Sequence, residues 1–171
     1  MDSMKHISTN FDTQKISVAL FITYKNQLLM QVEKNQGGII WCTFGTFMNN
    51  HEPYELIMNV QKDQLDTSFK VTPLAKIVSY IKKPTPDGRV ELTTHAFILQ
   101  LTEEQNSNLR LKDSQFWATS EDIQKTDAVR DDDKLILSKL LRNENLNLII
   151  EVDQMGKWID GKLLAWEEQP R

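Results

Sequence analysis

A helix-forming segment at residues 53–64 lies between β-rich segments, and this order constrains the fold more than any other feature. Pro53 suits a first helical turn. The residues that follow it at helical spacing are Leu56, Ile57, Val60 and Gln64. Upstream, residues 16–34 are β-rich and are divided by the polar KNQ at 25–27, which predicts a hairpin. The sequence therefore predicts a chain that mixes strands and helices.

Later segments extend this pattern. Residues 74–83 and 90–101 flank PTPDGR, whose Asp87-Gly88 pair suits a hairpin loop, so they are predicted to be neighbouring antiparallel strands. SQFWATSEDIQKTD begins as a strand, and Ser120 is expected to cap a short helix after it. DDDKLILSKLLRN carries acids early and basic side chains late, which favours a helix from about Asp132 to Arg142.

Length and charge limit the possible functions. The 171 residues, 40% of them hydrophobic, fit one domain with small additions. A formal net charge of −4 with scattered Lys and Arg argues against general nucleic-acid binding. A polar N-terminus and the lack of a long apolar run indicate a soluble, cytoplasmic protein with no membrane partner. The single cysteine, Cys42, excludes an internal disulfide and is interpreted as a small buried side chain.

Three segments in this order resemble the Nudix domain, an α/β/α sandwich with a mixed β-sheet. WCTFG at 41–45 resembles the family's Trp-x-Leu-Pro-Gly-Gly lead-in, HAFILQL at 95–101 its late aromatic-rich strand, and FWATSEDI at 116–123 its Trp-Val-Ser-x-Glu-Glu-Leu stretch. The resemblance covers about Ile16 to Asn143. It implies a polar N-terminal segment at 1–14, a Nudix-like domain at 15–143 and a C-terminal β extension at 144–171.

The family's catalytic signature, Gly-x5-Glu-x7-Arg-Glu-U-x-Glu-Glu-x-Gly-U with U aliphatic, is degenerate here. In the family, glutamates one helical turn apart hold Mg²⁺ or Mn²⁺ against a diphosphate. Three alignments are open, anchored on Trp41 and Gly45, on Val60, or on SFKV at 68–71. In that order the metal-binding positions become Gln61, Gln64 and Leu65; Asn59, Lys62 and Asp63; or Lys62, Leu65 and Asp66.

No alignment supplies two acids, so we expect no metal on the helix and no cofactor, with Mg²⁺ or Mn²⁺ required only if hydrolysis persists. The weak catalytic candidates are Glu52, Glu55 and Asp63, with His51 beside them. Acids at a helix start or on its solvent side are more often dipole partners. The same interpretation suffices for the DDD run at 131–133.

The resemblance places Trp41, His95 and Phe97 at a ligand cleft, although tryptophan is more commonly used for packing. The apolar side chains of residues 146–166 must be buried somewhere. They are expected either to extend the domain's own sheet or to cross to a second copy, and the homodimer is favoured.

Three functions stay open. The first is a Nudix-like module without the usual hydrolysis that binds a small nucleotide-like ligand or a protein partner. The second is an active pyrophosphohydrolase of nucleoside diphosphate derivatives with rearranged metal ligands. The third is a purely structural interaction protein.

Overall fold

The computed structural model describes residues 12–35, 38–48, 51–83 and 88–168. These residues form nine strands, four α-helices and one 3-10 turn. In chain order they are β1 Asp12–Tyr24, β2 Gln27–Asn35, β3 Gly38–Cys42, β4 Phe44–Phe47, α1 Pro53–Leu65, β5 Thr72–Lys82, β6 Arg89–Gln100, α2 Glu103–Asn108, β7 Gln115–Ala118, α3 Ser120–Lys125, α4 Asp131–Leu141, β8 Leu148–Asp153, the 3-10 turn Ile159–Gly161 and β9 Leu164–Glu167. No helix within these ranges is long and apolar enough to cross a membrane.

All nine strands join one mixed sheet in the order β3-β2-β1-β6-β5-β8-β9, with β4 paired to β1 and β7 paired to β2. β1 runs antiparallel to β2 and parallel to β6. Lys25 and Asn26 connect β1 to β2 with φ values of 48° and 62°, as a tight two-residue hairpin turn requires. The hairpin predicted at KNQ is therefore confirmed. In the loop between β5 and β6, the structure does not describe residues 84–87, which include Asp87.

Helices cover both faces of the sheet. On the α1 face, Ile57 and Val60 of α1 pack with Leu20 and Ile22 of β1. On the α4 face, Leu137 and Leu140 of α4 pack in one core cluster with Phe21 of β1. Because side chains alternate along each strand, β1 supplies both cores. The expected α/β/α sandwich with a mixed sheet is confirmed.

The helix boundaries differ little from those predicted. α1 ends at Leu65, one residue beyond Gln64, and α4 spans Asp131 to Leu141. The cap of α3 was predicted one residue too late, because Thr119 and not Ser120 is the N-cap. The Thr119 hydroxyl accepts a hydrogen bond from the Asp122 N–H at 3.1 Å, and the Asp122 carboxylate accepts one from the Thr119 N–H at 3.0 Å.

Segment 144–171 adds strands to the chain's own sheet. β8 pairs parallel to β5, and β9 pairs antiparallel to β8. Leu148, Ile150 and Val152 of β8 belong to the same core cluster as α4. This is the first of the two expected arrangements, and contact with a second copy stays a prediction. At the other end, β1 begins at Asp12, inside the predicted polar segment 1–14, of which residues 1–11 lie outside the described residues.

Trp158 joins the C-terminal segment to this core. It forms an isolated bridge to Val152 and packs, half-buried, against the α4-face cluster. Trp158→Ala should lower the free energy of unfolding by about 2 kcal/mol, less than a fully buried tryptophan would cost. Urea denaturation followed by circular dichroism measures this loss. Ile39→Ala on exposed β3 is the control, and an equally small loss for both variants would contradict the packing of Trp158.

Candidate functional site

A cavity of about 460 Å³ lies on the α4 face, between the sheet and the first turn of α4. We call it the main cavity. Small side chains leave this space open: Ser17 and Ala19 on β1, Ser79 on β5 and Thr94 on β6 line it. The hydroxyls of Ser17 and Thr94 are 2.9 Å apart and hydrogen bonded. Its volume falls in the range of ligand pockets, and its walls combine apolar side chains with a few polar groups.

Gly45 allows β4 to form one wall of the main cavity. A Cβ atom at this position would lie 2.4 Å from the Val18 carbonyl oxygen, so any other residue would force β4 away from β1. In the sequence, Gly45 is the glycine of the Nudix-like lead-in. Its role in the structure is the close approach of two strands.

The first turn of α4 supplies the charged groups of the main cavity. Arg130 donates to both carboxylate oxygens of buried Asp132, with Nε–Oδ1 and Nη2–Oδ2 distances of 3.1 Å each. Asp133 lines the cavity beside this pair. Burial, and then the neighbouring Asp132 charge, raise the pKa of Asp133 to about 7, while Arg130 opposes the shift. The Asp133 carboxyl is therefore a hydrogen-bond donor in a large share of molecules near neutral pH.

The sequence interpretation of this acidic run was incomplete. Asp131, Asp132 and Asp133 do occupy the first turn of a helix, as expected of dipole partners. Asp132 and Asp133 also line the main cavity, which the run of acids by itself does not indicate. In the sequence, Arg130 directly before this run was the feature that could have indicated an ion pair with one of the acids.

Cys42 and Glu33 lie at another side of the main cavity. Burial, followed by the charge and hydrogen bond of Glu33, raises the pKa of the Cys42 thiol to about 12. The thiol therefore stays protonated at neutral pH and is a poor nucleophile. Cys42 is half-buried and lines the main cavity, so the expected full burial is corrected.

Phe47 lines the main cavity, and Lys15 lies beside the Phe47 ring. The Phe47 ring lines the cavity yet is 61% exposed. The Lys15 ammonium is 5.5 Å from the ring centroid. An exposed ring next to a cation offers a stacking surface and a charge for an anionic group.

On the opposite face, Gln61 of α1 is fully buried, with 0% exposure, and its amide is engaged on both sides. The amide nitrogen donates to the Phe69 carbonyl oxygen at 2.8 Å. The amide oxygen accepts from the Thr67 hydroxyl at 2.8 Å and from the Phe69 N–H. Gln61 therefore fixes the loop after α1. The helical spacing in the sequence instead predicted Gln64 on the apolar face of α1.

Gln64, one helical turn further along α1, links three strands. Its amide nitrogen donates to the Gly45 carbonyl oxygen at 3.2 Å, and its amide oxygen accepts from Gln31 at 3.4 Å. Buried Gln115 of β7 donates to the Gln64 backbone oxygen at 2.9 Å. In the alignment anchored on Gly45, Gln61 and Gln64 occupy two positions of metal-binding glutamates. Both are bound into an amide network.

The weak catalytic candidates all lie on the solvent side of α1. Glu52 is the N-cap of α1 without a side-chain capping bond, and Glu52, Glu55, Asp63 and His51 are exposed. Lys62, a ligand position in two alignments, is exposed too. None of these side chains lines the main cavity. Within the described ranges, no group of three or more His, Cys, Asp or Glu side chains is arranged to hold a metal ion.

The predicted cleft residues lie elsewhere. Phe97 is buried on the α1 face with its ring centroid 6.3 Å from that of Tyr54. His95, two residues before Phe97 on β6, lies on the same face and is half-buried. Burial, and then the charge of Lys76, lower the pKa of His95. The ring centroids of Trp41 and Phe116 are 4.8 Å apart in an edge-on arrangement, and both rings pack against the α4-face core. None of the three lines the main cavity, so their part in ligand binding stays a prediction.

No protein-family model and no curated protein matches the sequence. Solved structures do match. A MutT protein from Bacillus halodurans is 16% identical, with a TM-score of 0.64 over 89% of this chain and 96% of that chain. A NUDIX-family hydrolase from Clostridium perfringens is 12% identical, with a TM-score of 0.53 over 75% of this chain and 96% of that one. A MutT protein from Methanosarcina mazei Go1 is also 12% identical, with a TM-score of 0.53 over 77% and 96%. The chain therefore has the Nudix fold.

Proposed function

We propose that this Nudix-fold chain binds a small nucleotide-like ligand in the main cavity and lacks the usual metal-dependent diphosphate hydrolysis. The observation that carries the proposal is the amide network of α1. In the alignment anchored on Trp41 and Gly45, Gln61 and Gln64 occupy positions that the signature gives to carboxylates, and both amides hold protein groups. A scaffold with a ligand-sized cavity and no carboxylate pair on α1 favours binding over hydrolysis.

The chemistry of the amides argues against a metal. Mg²⁺ needs nearly octahedral oxygen coordination, commonly with charged carboxylates. The Gln61 oxygen already accepts two hydrogen bonds in a fully buried position. The Gln64 nitrogen, a donor, faces the Gly45 carbonyl oxygen. Neither amide carries the negative charge that would offset the dehydration of a divalent ion.

The chemistry of the main cavity supports a ligand with an aromatic base and an anionic group. Asp133 can donate or accept a hydrogen bond near neutral pH because its pKa is raised to about 7. Phe47 offers its ring to a base in the main cavity. Lys15 beside that ring offers a charge to a phosphate.

Calorimetric titration of nucleosides and nucleoside mono- and diphosphates, each with EDTA and with Mn²⁺, tests the proposal. We expect saturable binding in EDTA and no phosphate release with Mn²⁺. Phe47→Ala should weaken binding about tenfold through lost stacking, whereas the equally exposed Ile39→Ala, outside the cavity lining, should not.

Two other results would favour the alternatives. Turnover that requires Mn²⁺ and is lost in Glu52→Gln, Glu55→Gln or Asp63→Asn would show an active hydrolase with rearranged ligands. The absence of any binding in the panel would favour a protein partner or a purely structural role.

A further inference from the structure

Among the described residues, the outer edge of β9 presents backbone groups without a strand partner. The Glu168 N–H donates to the Asn147 carbonyl oxygen at 2.7 Å, in line with the antiparallel register of β9 on β8. Backbone groups alternate in direction along an antiparallel strand, so those of Trp166 also face β8. The N–H and C=O of Ala165 and Glu167 must then point away from β8. No strand in the part of the chain that the structure describes pairs with this edge.

The opposite end of the sheet differs. At β3, the Trp41 N–H donates to the Ala128 carbonyl oxygen at 2.9 Å, so a loop covers part of that edge. Unprotected sheet edges promote pairing with another chain. The free edge of β9 is therefore the better place for a strand to be added.

Exposed apolar side chains surround the β9 edge. Trp166 is 50% exposed and Leu163 is 56% exposed. Trp166 lies next to Ile149 of β8 on the α1 face, and the helix α1 packs over β1 and β4, away from β9. Large exposed aromatic side chains are enriched where proteins associate.

We propose that the β9 edge binds the β9 edge of a second copy of this chain, antiparallel across a twofold axis at Ala165. This proposal is independent of the ligand of the main cavity. With Ala165 opposite its own copy, the outward backbone groups of the two chains exchange hydrogen bonds directly. The two sheets become one continuous sheet.

The side chains select this register. With the axis at Ala165, Leu164 lies opposite Trp166 of the second copy, and Lys162 lies opposite Glu168. Cross-strand pairs of apolar side chains and of opposite charges both stabilise antiparallel strands. An axis at Trp166 would place Glu168 opposite Leu164, and an axis at Leu164 would place Lys162 opposite Trp166. Only the axis at Ala165 forms both favourable pairs.

The charge pair can be tested separately from folding. Lys162 and Glu168 are six residues apart in extended backbone, which places them about 20 Å apart within one chain. A direct attraction between these two side chains can therefore arise only between copies.

Sedimentation equilibrium of the full chain at several concentrations tests the proposal. We expect the wild type to dimerise, Lys162→Glu and Glu168→Lys each to raise the dissociation constant at least fivefold, and the double variant Lys162→Glu/Glu168→Lys to recover near-wild-type association. Circular dichroism melts check that all variants fold. A wild type that stays monomeric at every concentration would overturn the proposal. So would a dimer that the single changes leave intact, or single losses that the double variant does not reverse.

Discussion

Replacing Gln61 with glutamate should lower the free energy of unfolding at pH 8 by about 3–5 kcal/mol, the cost typical of an uncompensated buried charge. The change restores an acid that the Nudix signature carries in one alignment. It also removes the donor to the Phe69 carbonyl oxygen, 2.8 Å away, and places a carboxylate at a site with 0% exposure. Urea denaturation at pH 8 measures the loss.

The pH dependence of this variant identifies the cause. Burial should raise the folded-state pKa of the new carboxyl above its unfolded value of about 4.3, so the folded state holds the proton more tightly. The protonated carboxyl can donate to Phe69 as the amide does. The loss should therefore shrink as the pH falls toward 5. Gln64→Glu, in a half-buried position, is the matched control and should cost less. If Mn²⁺ restored the stability of Gln61→Glu/Gln64→Glu, α1 would still accept a metal.

Asp133→Asn should stabilise the protein at pH 8, by up to about 4 kcal/mol for a pKa raised from 3.8 to about 7. In the wild type, the half-buried Asp133 lies next to Asp132 and lines the main cavity together with Glu33 and Cys42, with Arg130 as the opposing charge. The amide of asparagine keeps the shape of the side chain and removes the charge. Thermal unfolding at pH 5 and pH 8 measures the effect.

The direction of this pH dependence follows from the number of protons that the folded and unfolded chains bind. Between pH 3.8 and about 7 the folded chain holds a proton on Asp133 that the unfolded chain has released, so this group makes stability fall as pH rises through that window. About one pH unit above the folded-state pKa, the contribution of Asp133 becomes constant. Asp133→Asn should remove this slope, and the gain should be small near pH 4. Equal slopes for wild type and variant would show that Asp133 titrates normally.

Most of the fold was predictable because it depends on local patterns. The KNQ turn, the Pro53 helix start and the acids in the first turn of α4 each specify a nearby backbone conformation, and each prediction is confirmed. Helix α2 gives no helical pattern of apolar residues in the sequence because it buries no residue. Its Thr102–Gln105 capping box was the local signal that should have indicated it.

The site was less predictable because the role of each side chain depends on how deeply the fold buries it. Helical spacing does not distinguish Gln61 from Gln64, and only the loop at Thr67–Phe69 shows why the first is fully buried. Asp133 gains its raised pKa from burial in the folded chain and then from the charge of the neighbouring Asp132. Phe47 lines the main cavity because β4 pairs with β1, a contact between segments that no short motif encodes.

Two parallel pairings of the sheet bear on how the chain folds during synthesis. β1 has its long parallel partner only in β6, and β5 meets β8 close to the C-terminus. Two parallel strands must be joined by a long connection, so their contacts are far apart in sequence. Such contacts slow folding, because the chain loses the entropy of closing a long loop before the contact stabilises it. The α4-face core includes Leu148, Ile150 and Val152, so it cannot close on the ribosome before β8 has emerged. A nascent chain stalled before residue 148 should therefore bind chaperones that recognise exposed apolar segments, and release from them should follow the emergence of β8.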